Sequence, residues 1–396
     1  MPNLDLTVDA VLPRDRDAAV LVGRVWRPDV AHGAGGPALV VLRGDNVIDI
    51  TATVPTCSEL MNSTNPLSIA KTTAGEKVGT VGEILANTPV DGRDAGKPWF
   101  LSPIDLQAVK ACGVTFAESM IERVIEEKAK GDASAADTIR QEIADKIGTD
   151  LSKITPGSDE AEALKAALIE RGMWSQYLEV GIGPYAEVFT KAPPMSSVGV
   201  GADVGLHPIS TWNNPEPEIT LVVSAAGTIV GAMLGNDVNL RDVEGRSALL
   251  LGKAKDNNGS AAVGPFVRLF DDAFTLDDVR AAELDLRVEG EDQFVLNGHS
   301  SMRKISRDVA DLVSQTIGAT HQYPDGVVLM TGTLFAPTQD RGAKGQGFTH
   351  ADGDIVTIST PRLGALVNRV GRSDKIAPWT FGAGALMRNL AKRGLI

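Results

Sequence analysis

Two glutamates two residues apart, Glu216 and Glu218 in NNPEPEITLVV, open the most chemically suggestive segment of the chain. Prolines at 215 and 217 keep this stretch out of regular structure. At the mouth of a strand, period-two geometry points both carboxylates to one face. There they repel unless a cation or a proton lies between them. The run EITLVVSAAGTIVGAML (218–234) predicts a hairpin turning at Ala226-Gly227, and GNDVNLRD follows it. A hairpin returns the end of its second strand beside the start of its first, so Asp237 can join Glu216 and Glu218. Three oxygen donors with room for water suit Mg²⁺, with Mn²⁺ as the alternative; such hard ions keep several waters. A solvated strand edge would also account for the E-x-E spacing by itself. The neighbourhood favours a site: Arg241 and Lys255 follow closely, and KAKDNNGSAAVGP is rich in small residues, unlike a core strand. Three carboxylates and a divalent cation leave about one negative charge, so basic side chains would be needed to hold an anionic substrate.

Composition fits an oxygen-ligand centre. The 396 residues carry 38 Lys+Arg against 51 Asp+Glu, a formal net charge of −13, with 2 Cys and 5 His. That balance argues against nucleic acid, which needs clustered basic residues. Cys57 and Cys112 are too few for a disulfide framework or a Cys₄ zinc site. Asp5 and Asp9 interrupt any signal-peptide pattern, and no apolar run approaches the ~18 residues of a membrane helix. The expectation is a cytoplasmic protein acting on a small molecule, with no nucleic-acid or membrane partner.

The elements that must position these residues read as a β-rich α+β fold. Residues 1–100 suggest a small N-terminal α/β domain, with strands at 18–24 and 38–42 and a short helix opened by Thr56 and Glu59. The turn-rich stretch 87–99 marks a boundary, leaving 101–396 as the catalytic domain. Within it, 117–172 reads as a helical insert. Met120, Val124 and Glu127 stack at helical spacing with Gly131 as a stop; Ala161, Leu164, Leu168 and Ile169 form a second face ending at Gly172. This insert is either a pair of surface helices or a hinged lid over a site. Further on, LDLRVEG (284–290) and QFVLNG (293–298) predict a hairpin with Asn297-Gly298 as its turn signal. Strands at 326–332, 354–360 and 364–370 complete a sandwich or barrel-like roll.

Taken together, the motifs resemble the fumarylacetoacetate hydrolase superfamily. Its pattern appears as EPE (216–218), NDVNLRD (236–242), KDNNGSAAVGP (255–265) and TGT (331–333), in order, over roughly 100–396. The resemblance implies a β-sandwich roll with a smaller N-terminal domain and Mg²⁺ ligands at Glu216, Glu218 and Asp237. Arg241 matches the arginine after the metal aspartate and Lys255 the active-site lysine. Thr333, with the Gly332 amide, matches the group that holds the substrate carboxylate. Hydrolytic and decarboxylating members often carry a His-Glu pair, in N-Y-x-x-H-x-x-E, that activates water. In VTFAESMIERV, Ser119 stands in the place of that His, beside the substrate, while Glu122 keeps the acid's place.

The same stretch, with Glu187 in AEVFTK, WSQYLEV (174–180), LRDVEGRSALLLGKAKDNN and HQYPDG (321–326), resembles a narrower branch, the 2-keto-3-deoxypentonate dehydratases. Dehydration needs no water-activating base, so Ser119 fits this branch better. The resemblance implies a hydro-lyase that converts the D-xylonate- or D-arabinonate-derived acid to 2,5-dioxopentanoate and water. A C3 proton and then the C4 hydroxyl would leave, with the cation supplying Lewis acidity at the substrate's 2-keto acid oxygens. Lys255 is the candidate base if burial and a nearby cation lower its pKa; a charge partner for the carboxylates is its other reading. Glu122 or Glu187 could protonate the departing hydroxyl, though both also read as salt-bridge partners. Arg241 and Thr333 would orient the acid end, and Glu244 would touch the substrate hydroxyls. The alternative is a hydrolase of 2,4-diketo-3-deoxy sugar acids or acylpyruvates at the same metal site. A catalytically silent sugar-acid-binding protein is a third reading, disfavoured by the intact acidic set and lysine. A homodimer or homotetramer is expected.

Overall fold

The computed structural model describes residues 4–28, 35–130, 132, 154–170, 172, 174–333, 335, 337–342 and 345–396, without the side chains of 117–119 and 126. The expected helix stop at Gly131 and the Ser119 side chain lie outside the described residues. Among the described residues, β-branched and apolar runs form two sheets. The larger, 11-stranded sheet runs β4 (Glu76–Thr80), β3 (Asn46–Asp49), β2 (Gly36–Arg43), β1 (Leu21–Arg27), β11 (Ala261–Leu269), β10 (Ile229–Asp237), β9 (Pro217–Val223), β14 (Val327–Met330), β6 (Ala108–Gly113) and β7 (Glu187–Ala192). A short β5 (Trp99–Phe100) adds to β1. The 5-stranded sheet runs β13 (Val295–Ser301), β12 (Glu283–Glu289), β15 (Ile355–Thr360), β16 (Gly364–Arg372) and β8 (Asp203–Leu206). Most pairs are antiparallel, while β14–β6 and β16–β8 are parallel. The fold is α+β and β-rich. The strands of the first hundred residues extend one side of the large sheet, because β1 pairs with β11 in the register Leu21↔Arg268.

Strand parity places the core on one side of β9–β10 and the acidic residues on the other. Ile219, Leu221 and Val223 of β9 pack with Ala232 and Leu234 of β10 against Leu286, Val288, Val356 and Ile358 of the second sheet. Val222 and Met233 face the opposite way, with Val263, Val328 and Met330. That second face is covered beside them by the helix Cys57–Asn62, through Leu60 and Met61. Thr56 caps this helix by accepting the Glu59 N–H at 3.0 Å, as the sequence implies. Successive side chains alternate faces, so Glu216 and Glu218 share the face of Val222, and Asp237 shares that of Met233.

Two local expectations are corrected. The β12–β13 hairpin forms, but its turn lies at Gly290–Gln293, where the Gln293 N–H donates to the Gly290 carbonyl at 3.2 Å. Asn297 and Gly298 sit inside β13, opposite Arg287 and Leu286. The glycine there serves close approach rather than turning: the Phe335 ring lies 2.6 Å from where a Cβ would be. In the helix Asp159–Glu170, Ala161 and Leu168 are buried but Ile169 is 53% exposed. It lies about 100° further round than Leu168, past the apolar stripe. The helix Ala117–Ala129 buries Met120 and Val124 as expected and packs on the helix Gln176–Ile182 through Leu178 and Ile182. Among the described residues no helix is long and apolar enough to cross a membrane.

Candidate metal centre

The β9–β10 register makes the cluster. Pro217 pairs with Asn236 and Glu218 with Gly235, so Asp237 falls opposite Glu216. The Asp237 N–H donates to the Glu216 carbonyl at 3.1 Å, and the Asn236 side chain accepts the Glu216 N–H at 3.1 Å. Glu216, Glu218 and Asp237 each offer a ligand atom, all within 4.8 Å of one another, and each residue is at most 3% exposed. Buried carboxylates this close demand positive charge.

Three cations from separate parts of the chain supply it. Lys255, at the end of the short helix Leu251–Lys255, places Nζ 2.5 Å from Glu216 Oε2 and 3.2 Å from Asp237 Oδ2. Lys191 of β7 reaches Asp237 Oδ1 at 2.7 Å and donates to the carbonyls of Val238 and Lys255 at 3.0 and 2.5 Å. Arg123, on the helix Ala117–Ala129, contacts Glu216 Oε1 through Nη2 and Glu244 Oε2 through Nη1 at 2.9 Å. Neither Lys191 nor Arg123 stood out in the sequence. Both had a signal: Lys191 and Phe189 follow Glu187 at period two, and Arg123 falls on the Met120–Val124 face of its helix. Phe189 completes the lining, 5.6 Å beneath the Lys255 ammonium.

These contacts shift the buried groups in different directions. Burial, with Asp237 and Glu216 nearby, pushes the Glu218 carboxyl well above its usual range despite the Gly332 N–H it accepts. Burial alone would raise Asp237 too, but Lys191 and Lys255 outweigh it and bring the carboxyl below its usual range. Burial would lower Lys255, yet Asp237, Glu216 and Glu244 together drive it above the ordinary lysine range. Without a cation, its carboxylate neighbours outweigh desolvation; the expected lowering of this lysine is tied to a cation beside it. Desolvation does win at Lys191, whose pKa is lowered. Burial and the Glu244 charge raise Glu187 to about 7.

Other expected site residues also converge. Arg241 lies over the Trp212 ring at 4.7 Å, donates to the Pro337 carbonyl at 2.9 Å and pairs with Glu122 at 3.2 Å. Glu244 lies three residues on, in the short helix Arg241–Glu244, buried against Arg123. The Gly332 amide, expected to meet a substrate carboxylate, instead donates to Glu218 Oε2 at 2.7 Å. Thr333 donates its hydroxyl to the Phe335 carbonyl at 3.0 Å. Gly332 has φ +100°, and a Cβ there would lie 1.9 Å from Thr115 Oγ1. Gly332→Ala is therefore expected to cost about 1–3 kcal/mol of stability and to loosen Glu218; denaturant unfolding measures the first effect. A separate cavity of about 360 Å³, lined in part by Trp26, Trp99, Trp379 and Phe381, shares no residue with this cluster.

The paired strands β9 and β10 thus hold three buried acids beside a lysine, a set that could hold a metal ion. Residues 182–371 match the fumarylacetoacetate (FAA) hydrolase C-terminal model. Among curated relatives, "2-dehydro-3-deoxy-D-arabinonate dehydratase" of Saccharolobus solfataricus is 31% identical over 48% of this chain and 60% of its own length. "Probable 2-keto-3-deoxyxylonate dehydratase" of Haloferax volcanii is 31% identical over 51% of this chain and 65% of its own. The chain thus spans less than two thirds of the curated relatives it matches. A solved "2-keto-3-deoxy-D-arabinonate dehydratase complexed with magnesium and 2,5-dioxopentanoate" shares the fold, with a TM-score of 0.57 and 21% identity over 89% of this chain and 99% of that one.

Proposed function

We propose that this protein is a metal-dependent hydro-lyase that dehydrates a 2-keto-3-deoxypentonate, derived from D-xylonate or D-arabinonate, to 2,5-dioxopentanoate. The observation that carries this reading is the buried triad of Glu216, Glu218 and Asp237, whose ligand atoms lie within 4.8 Å of one another. The names of the two curated relatives and the magnesium in the solved fold neighbour support it. The donor set is all oxygen and fits Mg²⁺, with Mn²⁺ as the alternative. Residues 101–396 would form the catalytic unit, with 1–100 as a smaller N-terminal unit.

When bound by these three carboxylates, the cation supplies Lewis acidity toward the oxygens of a 2-keto acid. The remaining roles belong to the chain. Arg241, steadied by Trp212 and Glu122, orients the substrate carboxylate together with Thr333. Glu244 meets the hydroxyl end. Lys255 is the candidate acceptor of the C3 proton; Glu216 and Asp237 favour its charged form, and a cation held by them would weaken that hold. Glu187 is the candidate acid for the C4 hydroxyl, with Glu122 as the other.

The raised Glu187 gives a pH dependence. Its carboxyl holds a proton below about 7 and loses it above, so kcat is expected to fall as pH rises through that region. A bound cation draws the limb to lower pH. Glu187→Gln, which cannot donate a proton, should lose the limb and about 10²–10⁴-fold in kcat; an unchanged kcat–pH profile would assign the acid elsewhere. The function itself is tested by product analysis on both 2-keto-3-deoxypentonates. Release of 2,5-dioxopentanoate is expected, whereas pyruvate from a 2,4-diketo acid would make the protein a hydrolase.

A further inference from the structure

Each clustered carboxylate has one oxygen engaged by a donor from outside the cluster. Glu218 Oε2 accepts the Gly332 N–H, Asp237 Oδ1 faces Lys191, and Glu216 Oε1 faces Arg123. The oxygens Glu216 Oε2 and Asp237 Oδ2 instead share Lys255 Nζ, at 2.5 and 3.2 Å. A cation drawn between Glu216 and Asp237 therefore meets Lys255, not Arg123. Arg123 grips a different oxygen of Glu216, and its second nitrogen holds Glu244 at 2.9 Å. A guanidinium spans two carboxylates with a fixed fork that an ammonium lacks. This side chain comes from the helix Ala117–Ala129, so it also fastens that helix to the acidic cluster.

We propose that Arg123 is a positioning residue for divalent-cation binding: it fixes the Glu216 carboxylate so that Oε2 stays turned toward Asp237. This rests on Glu216, Glu218 and Asp237 being the cation site. Losing an outer partner of a metal ligand typically costs about 10–100-fold in affinity. Electrostatics alone predicts the opposite sign, since deleting a nearby positive charge favours a cation.

Isothermal titration of the purified chain with MgCl₂ separates the two. Arg123→Met is expected to bind Mg²⁺ about 10–100-fold more weakly than the wild type. Arg123→Lys keeps the charge without the fork and should be weakened less; it also serves if the Met variant does not fold. The double variant Arg123→Met/Glu244→Gln deletes one charge of each sign. It should regain thermal stability lost by Arg123→Met while its Mg²⁺ binding stays weak. Recovery of both stability and affinity would mean that Arg123→Met weakens binding only by leaving Glu244 buried without its ion pair, and would overturn the proposal. Wild-type or tighter affinity in Arg123→Lys, or in a folded Arg123→Met, would overturn it as well. Absence of Mg²⁺ and Mn²⁺ binding by the wild type would remove the cation-site reading, and the proposal with it.

Discussion

Asp237→Asn is expected to abolish divalent-cation binding and to cost the fold about 3–5 kcal/mol, the penalty for breaking a buried ion pair from one side. Lys191, fully buried in β7, would keep its two carbonyl acceptors but lose the carboxylate at 2.7 Å. Lys255 would lose one of the two carboxylates it bridges. Amide nitrogen in place of carboxylate oxygen offers a hard cation a poorer ligand. Urea unfolding and Mg²⁺ titration on the same preparation read both effects. A folded Asp237→Asn protein that bound the cation normally would remove Asp237 from the ligand set.

The second large effect is a separation of binding from turnover at Lys255. Its ammonium occupies the space between Glu216 and Asp237 that an arriving cation would contest. Burial opposes its charge, but Asp237, Glu216 and Glu244 hold its pKa above the ordinary lysine value. Without a cation it is therefore protonated across the working pH range. Lys255→Met removes the competing charge, so Mg²⁺ binding should tighten by about tenfold, the effect of roughly 1.4 kcal/mol of relieved repulsion. Turnover should fall by about 10²–10⁴-fold, as expected when a positioned proton acceptor is lost. Weaker binding with an undiminished kcat would contradict both roles assigned to this lysine.

The triad was legible in the sequence for a geometric reason. An E-x-E pair shares a strand face by parity, and a hairpin with one central turn can bring only a few residues back beside it, among them Asp237. The strands of the β-roll were legible as short apolar, β-branched runs bounded by turn residues, such as PEITLVV and GVVLMTG, with alternation in ELDLRVE of β12. What escaped depended on long-range register. Arg123 enters the cluster from a helix 93 residues upstream of Glu216, and Lys191 from β7, which pairs with β6 and not with β9 or β10. The donor to Glu218, the Gly332 amide, is a backbone group, and no residue type announces it. Asn297-Gly298 misled because local turn preference yields to packing: Phe335 presses on the strand where a side chain would be.

A coupled assay on metal-stripped protein tests the central claim most directly. The protein is treated with EDTA, desalted, and given 2-keto-3-deoxy-D-xylonate or 2-keto-3-deoxy-D-arabinonate with an aldehyde dehydrogenase that oxidises 2,5-dioxopentanoate. The expected result is no NAD(P)⁺ reduction until MgCl₂ or MnCl₂ is added, then reduction with at least one of the two acids. No reduction with either acid and either ion, or full activity with EDTA still present, would contradict the account.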